Sequence, residues 1–327
     1  MKTVLILGAN GRFGLAAVHA FAHAGWRVLA QTRRAAAVPW PQGVQPLQLA
    51  VDDPAALATA AAGASVVVHA LNPPYAQWQS QALSLLHQGL AVADQLGARL
   101  MLPGNVYNYG TQIRPQLRES DPQLPDHPKA QIRAAMEQAM CAAAEAAHAQ
   151  GHGLRCVVIR AGDFFGGGSG SWLDLAVVKN LTRGKLVYPG PLDVPHAWAY
   201  LPDLAQAFER VAAAPAIAPY EVLHFAGHTL TGQELLRGLV TAASALGVRP
   251  AQGFRTGAFP WGWIRALAPL HRPWREVLEM RYLWLRPHAL DGSALSHRVA
   301  LPAATPLDVA LQRSLVALGI GVAATSV

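Results

Sequence analysis

Charge, lysine and cysteine are all scarce in this sequence. Charged side chains make up 14% of its 327 residues, lysine supplies only 4 of the 26 cationic ones, and there are two cysteines. Low charge beside 52% apolar residues excludes a disordered chain and implies a substantial core. Cys141 lies in an Ala-rich helical pattern and Cys156 in an apolar strand, without metal-ligand spacing, so buried, reduced thiols and no metal are expected. No apolar run reaches the length of a bilayer span. The amino terminus enters a strand within three residues and has no signal-peptide layout, so a cytoplasmic location is expected. Basic runs are also missing. The net charge of +7 comes from arginines spread thinly, which suits an anionic cofactor, and no nucleic-acid partner is expected.

What is present is most informative in KTVLILGANGRFGLAAVHAFAHAGWRVLAQTRR. Thr3 to Leu7 is a continuous apolar run, the pattern of a strand buried on both faces of a parallel sheet. Gly8, Gly11 and Gly14 follow at G-x-x-G-x-x-G spacing, then a helix from about Phe13 to Ala24, then a second strand from Arg27 to Gln31. Glycines let the backbone approach a pyrophosphate whose charge sits on the helix amino terminus. Asn10, Arg12 and Phe13 belong to the same loop and are counted with the cofactor site. The second strand ends in Thr32-Arg33-Arg34, where an NAD site would carry Asp or Glu for the ribose 2'-hydroxyl. Arg33 suits a 2'-phosphate, so NADP(H) is expected over NAD(H); solvated arginines are the alternative.

Strand and helix continue to alternate: Leu47 to Val51, Pro54 to Ala62, Ser65 to Ala70, Gln79 to Leu96 and Arg99 to Leu102. This predicts an α/β fold, a Rossmann-type doubly wound parallel sheet. Its ligands lie beyond the carboxyl ends of the strands, where Gly8, Asn72 and Pro103 fall, and Asn72 joins the cofactor candidates.

In their order along the chain, GANGRFG, SVVVHALN, LPGNVYNYG, IRAGDFFG, HAWAYLPDLA, TGQELL and LDGSALSHRVALPAATPLDVAL resemble the motifs of the extended short-chain dehydrogenase/reductase family, also called the NAD-dependent epimerase/dehydratase family. The resemblance implies a cofactor domain over 1–165, with 196–228 returning to it, and a smaller substrate-binding lobe over 166–195 and 229–327. It also implies a homodimer by analogy.

The family's catalytic positions are changed. Pro103 stands where a Ser or Thr polarises the substrate oxygen, Lys129 at the Tyr position and Arg133 at the Lys position, while Glu137 keeps the register. K-x-x-I-R-x-x-M-E resembles the isoflavone-reductase-like and regulatory NAD(P)-binding branches, and in reductases of that branch a lysine takes the acid/base position. Pro128 suits the first helical position, which puts Lys129 and Arg133 on one face. A neighbouring cation and the helix's positive end both disfavour an ammonium, which would ready Lys129 for proton transfer. Either cation can instead hold ribose hydroxyls or a phosphate, or simply start a solvated helix.

Tyr107 and Tyr109, just past the fifth strand, are further proton-donor candidates, although Tyr107 matches a family position that more often packs than reacts. Asp163 is read as orienting substrate or pairing with Lys129, or else as a capped loop carboxylate; Trp172, after the flexible GGGSGS run, as covering a substrate; and His196 as a substrate contact. Asp203 is expected to cap a helix, and Thr231-Gly-Gln-Glu234 is a capping box opening a helix to about Leu246. Residues 254–288 interleave Trp261, Trp263, Trp274 and Trp284 with Arg265, Arg272, Arg275, Arg281 and Arg286. A lobe core with its solvated face, a bulky substrate pocket and a shallow membrane or partner contact all fit that pattern. The expected function is an NADP(H)-dependent oxidoreductase acting on a small or medium organic substrate. The alternatives are a non-catalytic NADP redox sensor and a nucleotide-sugar epimerase or dehydratase.

Overall fold

The computed structural model describes residues 1–35 and 40–321, without the side chain of Arg272. The first half alternates β1 (Thr3–Leu7), α1 (Arg12–His23), β2 (Arg27–Gln31), β3 (Val44–Leu47), α2 (Pro54–Ala60), β4 (Val66–His69), α3 (Trp78–Leu96) and β5 (Arg99–Gly104). It continues with β6 (Gln116–Leu117), α4 (Pro128–Ala149), β7 (Arg155–Ala161) and β8 (Asp163–Phe165). The second half holds β9 (Lys185–Tyr188), β10 (Pro195–Tyr200), α5 (Leu201–Ala213), β11 (Tyr220–Phe225), β12 (His228–Thr231), α6 (Gly232–Ala245) and β13 (Arg255–Ala258). Five short helices and one strand close the chain: α7 (Trp261–Leu267), α8 (Arg272–Glu279), α9 (Arg281–Leu285), β14 (Ala289–Leu290), α10 (Ser293–Arg298) and α11 (Leu307–Ala317).

Seven parallel strands form one sheet in the order β11-β7-β5-β4-β1-β2-β3. The chain leaves β1 in one direction to β2 and β3 and returns to β4 on its other side. A crevice therefore opens at the carboxyl ends of β1 and β4. Alternate residues of β1 serve two cores: Leu5 and Leu7 pack with α2, α3 and α4, while Val4 and Ile6 pack with α1 and α5. This is why its sequence reads as an unbroken apolar run. Phe13 on α1 meets Phe208 on α5 edge to face at 4.8 Å, so the segment around α5 covers the same face as the first crossover.

Three expectations are corrected. The third strand spans Val44–Leu47 and not Leu47–Val51. Pro46 is tolerated because β3 is an edge strand, and Val51 is buried as coil, so its apolar signal came from packing and not from pairing. Asp203 does not cap α5, whose N-cap is Tyr200; its carboxylate accepts from the amide and hydroxyl of Thr305 at 2.8 and 2.6 Å. Cys156 is buried, and burial pushes its thiol up to about 12, but Cys141 is only partly covered. The capping box at Thr231 and Glu234 forms as read.

A third core joins Phe165, Tyr188, Trp198 and Trp284 with apolar residues of α6 and α11. It sits on a three-stranded sheet, β12-β10-β8, in which β10 runs parallel to β8 and antiparallel to β12.

Candidate functional site

The loop after β1 is shaped by its glycines. Gly8 has φ +77°, a region costly for any residue with a Cβ, and a Cβ on Gly14 would lie 2.2 Å from the Gly8 carbonyl oxygen. The N-cap of α1 is Gly11, which offers no side-chain cap, and the first turn holds no acidic residue. The orphan amides of this turn are thus left to an anion, and a pyrophosphate fits such a cradle. Asn10 spends its amide on the carbonyls of Arg34 and Ala35, at 3.0 and 3.2 Å, and so ties the loop to the end of β2. Arg33 and Arg34 are exposed there, with no carboxylate in place of either. The side chain of Phe13 belongs to the core, so only its backbone faces the loop. Asn72 is exposed just past β4, ahead of a single 3-10 turn, Tyr75–Gln77.

Arg12 reaches across the crevice, with its guanidinium 3.5 Å from the carbonyl of Phe164. Burial lowers its pKa, and Asp174, Tyr75, Asp163 and Tyr107 oppose that shift. Two of these neighbours form a pair: the hydroxyls of Tyr75 and Tyr107 lie 2.9 Å apart. Burial raises both phenols above 10, Tyr107 well above it, so each keeps its proton across the physiological range. Tyr109, the other proton-donor candidate, is committed elsewhere. Its hydroxyl accepts from Arg160 at 2.6 Å and lies 2.8 Å from His224 Nε2. Arg160 is held in turn by Glu137, the residue that kept the family register.

Lys129 and Arg133 do share one face of α4, but their surroundings differ from those expected. Lys129 is 1% exposed, and all three of its donors are taken by α8. Nζ donates to Glu279 Oε2 at 2.8 Å, to Glu276 Oε2 in a short contact, and to the Glu276 carbonyl at 3.3 Å. The ammonium, expected to be disfavoured by a neighbouring cation and the helix's positive end, is instead flanked by Glu276 and Glu279. Glu279 Oε1 also accepts the Lys129 amide at 3.0 Å and the His127 imidazole at 2.7 Å. Glu279 therefore caps α4 from a segment 150 residues further along the chain. Burial opposes its ionisation, but His127 and Lys129 outweigh this and hold its carboxyl down at about 2.

Arg133 packs over the Trp78 ring, its Cζ 4.7 Å from the centroid, and donates to the Pro103 carbonyl at 3.4 Å. Burial lowers its pKa against the pull of Tyr107, Tyr75 and Glu137, and its Nε has no protein partner. Tyr75, Trp78, Lys129, Arg275, Glu276 and Glu279 help line a cavity of about 350 Å³ beside this cluster.

The three substrate-contact candidates come together around Trp284. His196 stacks on its indole at 4.5 Å, Trp172 meets it edge to face at 5.2 Å, and Asp163 lies 2.9 Å from His196 Nε2. Asp163 thus pairs with His196 and not with Lys129. Tyr75, His127, Glu276 and Glu279 join the site without having been singled out in the sequence, whereas Trp284 belongs to the segment for which a bulky substrate pocket was one reading. One signal did exist for the acids: Glu276 and Glu279 are the only carboxylates in 254–288 and sit three apart, hence on one helix face.

No curated protein matches the chain by sequence. Among solved structures it resembles MoeE5 in complex with UDP-glucose and NAD, at 19% identity and a TM-score of 0.71, over 97% of this chain and 98% of that one. The enzyme WbmH of Bordetella bronchiseptica in complex with NAD+ gives 17% and 0.70, over 97% and 98%. The UDP-Glc/GlcNAc 4-epimerase of Campylobacter jejuni gives 12% and 0.70, over 97% and 99%. At such identities the likeness is one of fold. The sequence itself matches the model of the NAD dependent epimerase/dehydratase family over residues 4–224, from the first strand through the last strand of the large sheet, and the chain belongs to that family.

Proposed function

We propose that this protein is an NADP(H)-dependent oxidoreductase acting on a small or medium organic substrate. The observation that carries this reading is the meeting, at the mouths of β1 and β5, of an uncapped glycine-loop helix with Arg12 and the neutral Tyr75–Tyr107 hydroxyl pair. Gly8, Gly11, Gly14 and the first amides of α1 would hold the pyrophosphate, with Asn72 beside them and Arg33 on the 2'-phosphate. When bound, the nicotinamide gives or accepts a hydride, which is the cofactor's own chemistry. Tyr107 supplies an O–H donor toward the oxygen of the reacting carbon, in the role that Pro103 cannot fill. Lys129, its charge met by Glu276 and Glu279, positions the Tyr75 ring from 5.4 Å away, and Arg133 holds the end of β5. Asp163, His196 and Trp172, grouped on Trp284, border the substrate side.

A second reading, a dinucleotide-binding regulatory protein, is favoured by one observation: every donor of Lys129 is taken by α8. The nucleotide-sugar reading draws on the ligands bound by MoeE5, but the family's Tyr and Ser or Thr are absent here.

The test is a fluorescence titration with NADPH, NADP+, NADH and NAD+, repeated on Arg33→Asp. Tighter binding of both phosphorylated forms is expected, and loss of one charged hydrogen-bonded contact should weaken them about ten-fold or more in the variant. Equal affinity for all four refutes the role of Arg33, and binding of none refutes the reading. Strong discrimination between NADP+ and NADPH, with no turnover on any carbonyl substrate, favours the regulator.

A further inference from the structure

The hairpin of α7 and α8 has two faces of opposite character. Ile264, Ala268 and Met280 are buried on the inner side, and Glu276 and Glu279 turn inward onto Lys129. The outer side carries Trp263 and Leu267, which are four apart and share a helix face, followed by Leu270 and Trp274. Their exposures are 76%, 42%, 85% and 37%. An isolated exposed leucine needs no account, but four large apolar side chains within twelve residues make a patch. Arg265, His271 and Arg275 are exposed among them. Glu276 and Glu279, the only acidic residues of 254–288, both bind Lys129.

We propose that this hairpin docks on the surface of an anionic lipid bilayer. Tryptophan and leucine on one side of a short helix, rimmed by arginine, suit the boundary between headgroups and acyl chains. The arginines add attraction to anionic headgroups, about five-fold in affinity for each one that reaches them. The charge pattern separates a lipid from a second copy of the chain. A symmetric dimer through this face would bring Arg265, His271 and Arg275 of both copies into one contact, whereas an anionic surface neutralises them. Among the described residues no helix is long and apolar enough to cross a membrane, so the contact is peripheral. The net charge of +7 works in the same direction. This inference is independent of the catalytic reading.

The experiment is co-sedimentation of the full-length protein with vesicles of phosphatidylcholine mixed with phosphatidylserine, against phosphatidylcholine alone. Binding to the anionic vesicles, weakened by salt, is expected. The variant Trp263→Ser/Leu270→Ser should lose about ten-fold or more in affinity, since each side chain removed is apolar area no longer buried. Arg265→Glu, which alters charge without altering apolar area, should weaken binding to anionic vesicles and leave the phosphatidylcholine control unchanged. Unchanged melting temperatures would establish that both variants fold. No binding by the native protein, or equal binding by Trp263→Ser/Leu270→Ser, overturns the proposal. So does a concentration-dependent dimer that the double variant abolishes, because the patch is then a protein interface.

Discussion

Replacing Lys129 by methionine tests whether α8 is fastened to α4 as the structure has it. The substitution nearly keeps the volume but removes the ammonium between Glu276 and Glu279. The lysine side chain is 2% exposed and the two glutamates 21% and 19%, so the pair is largely but not wholly shielded. Breaking a fully buried pair costs about 3–5 kcal/mol. The ionised Glu279 offers a separate measure. A shift from 4.5 to about 2 corresponds to an upper limit of about 3 kcal/mol, part of which belongs to His127. A loss of about 2 kcal/mol at pH 7 is therefore expected. The pH dependence carries a sign. The folded pKa of Glu279 is depressed, so its contribution is fully present above pH 4.5 and lost as pH falls through 2. The deficit of Lys129→Met should hence be greatest near neutrality and shrink below pH 4.5, as the stranded carboxylates take up protons. Urea unfolding of both proteins at a series of pH values reads this directly. A deficit below about 0.5 kcal/mol at pH 7, within the range of ordinary surface changes, would refute the latch. A deficit that grows on acidification would refute its electrostatic origin.

Two further outcomes follow from buried groups and close contacts. Burial, joined by Arg160 at His224 and by His196 at His288, depresses His69 and His224 to about 4 and His288 to about 3, so the native state refuses protons that the unfolded chain accepts below about 6.5. Stability should be full above pH 6.5 and fall by about 2 kcal/mol per histidine by pH 5, and a urea midpoint unchanged between pH 7 and 5 would contradict this. Gly14→Ala drives a Cβ to 2.2 Å from the Gly8 carbonyl, so the loop must open; a loss of about 1–3 kcal/mol and of dinucleotide binding is expected, and native affinity in a titration would contradict it.

The parts of the fold legible in the sequence are those whose causes are local. The buried strand β1, the glycine turn and α1 follow from adjacent residues, as does the capping box of Thr231 and Glu234. The third strand was misread because Val51 is apolar for packing while the strand pairs earlier, at Val44–Leu47. In the candidate site, the spacing of Lys129 and Arg133 correctly puts them on one face. Their meaning depends on partners far along the chain. Glu276 and Glu279 sit in α8, Trp78 opens α3, and the Tyr75 hydroxyl reaches Tyr107 from another loop. Within α4 alone, Arg133 and the positive helix end both act against the ammonium. The carboxylates that reverse that balance lie about 150 residues further along the chain. Asp163 went to His196 for the same reason, since β10 lies alongside β8 only in the folded sheet.

The fastening of α4 by α8 also constrains how such a sequence can drift. A phenol at position 129 would remove the ammonium that now lies between Glu276 and Glu279. The acids cannot be lost singly without leaving the amide at the start of α4 or the ammonium short of an acceptor. Lysine at 129 with glutamate at 276 and 279 thus forms one interacting unit spread across 150 residues, and the three positions should be kept or exchanged together wherever this kind of chain recurs.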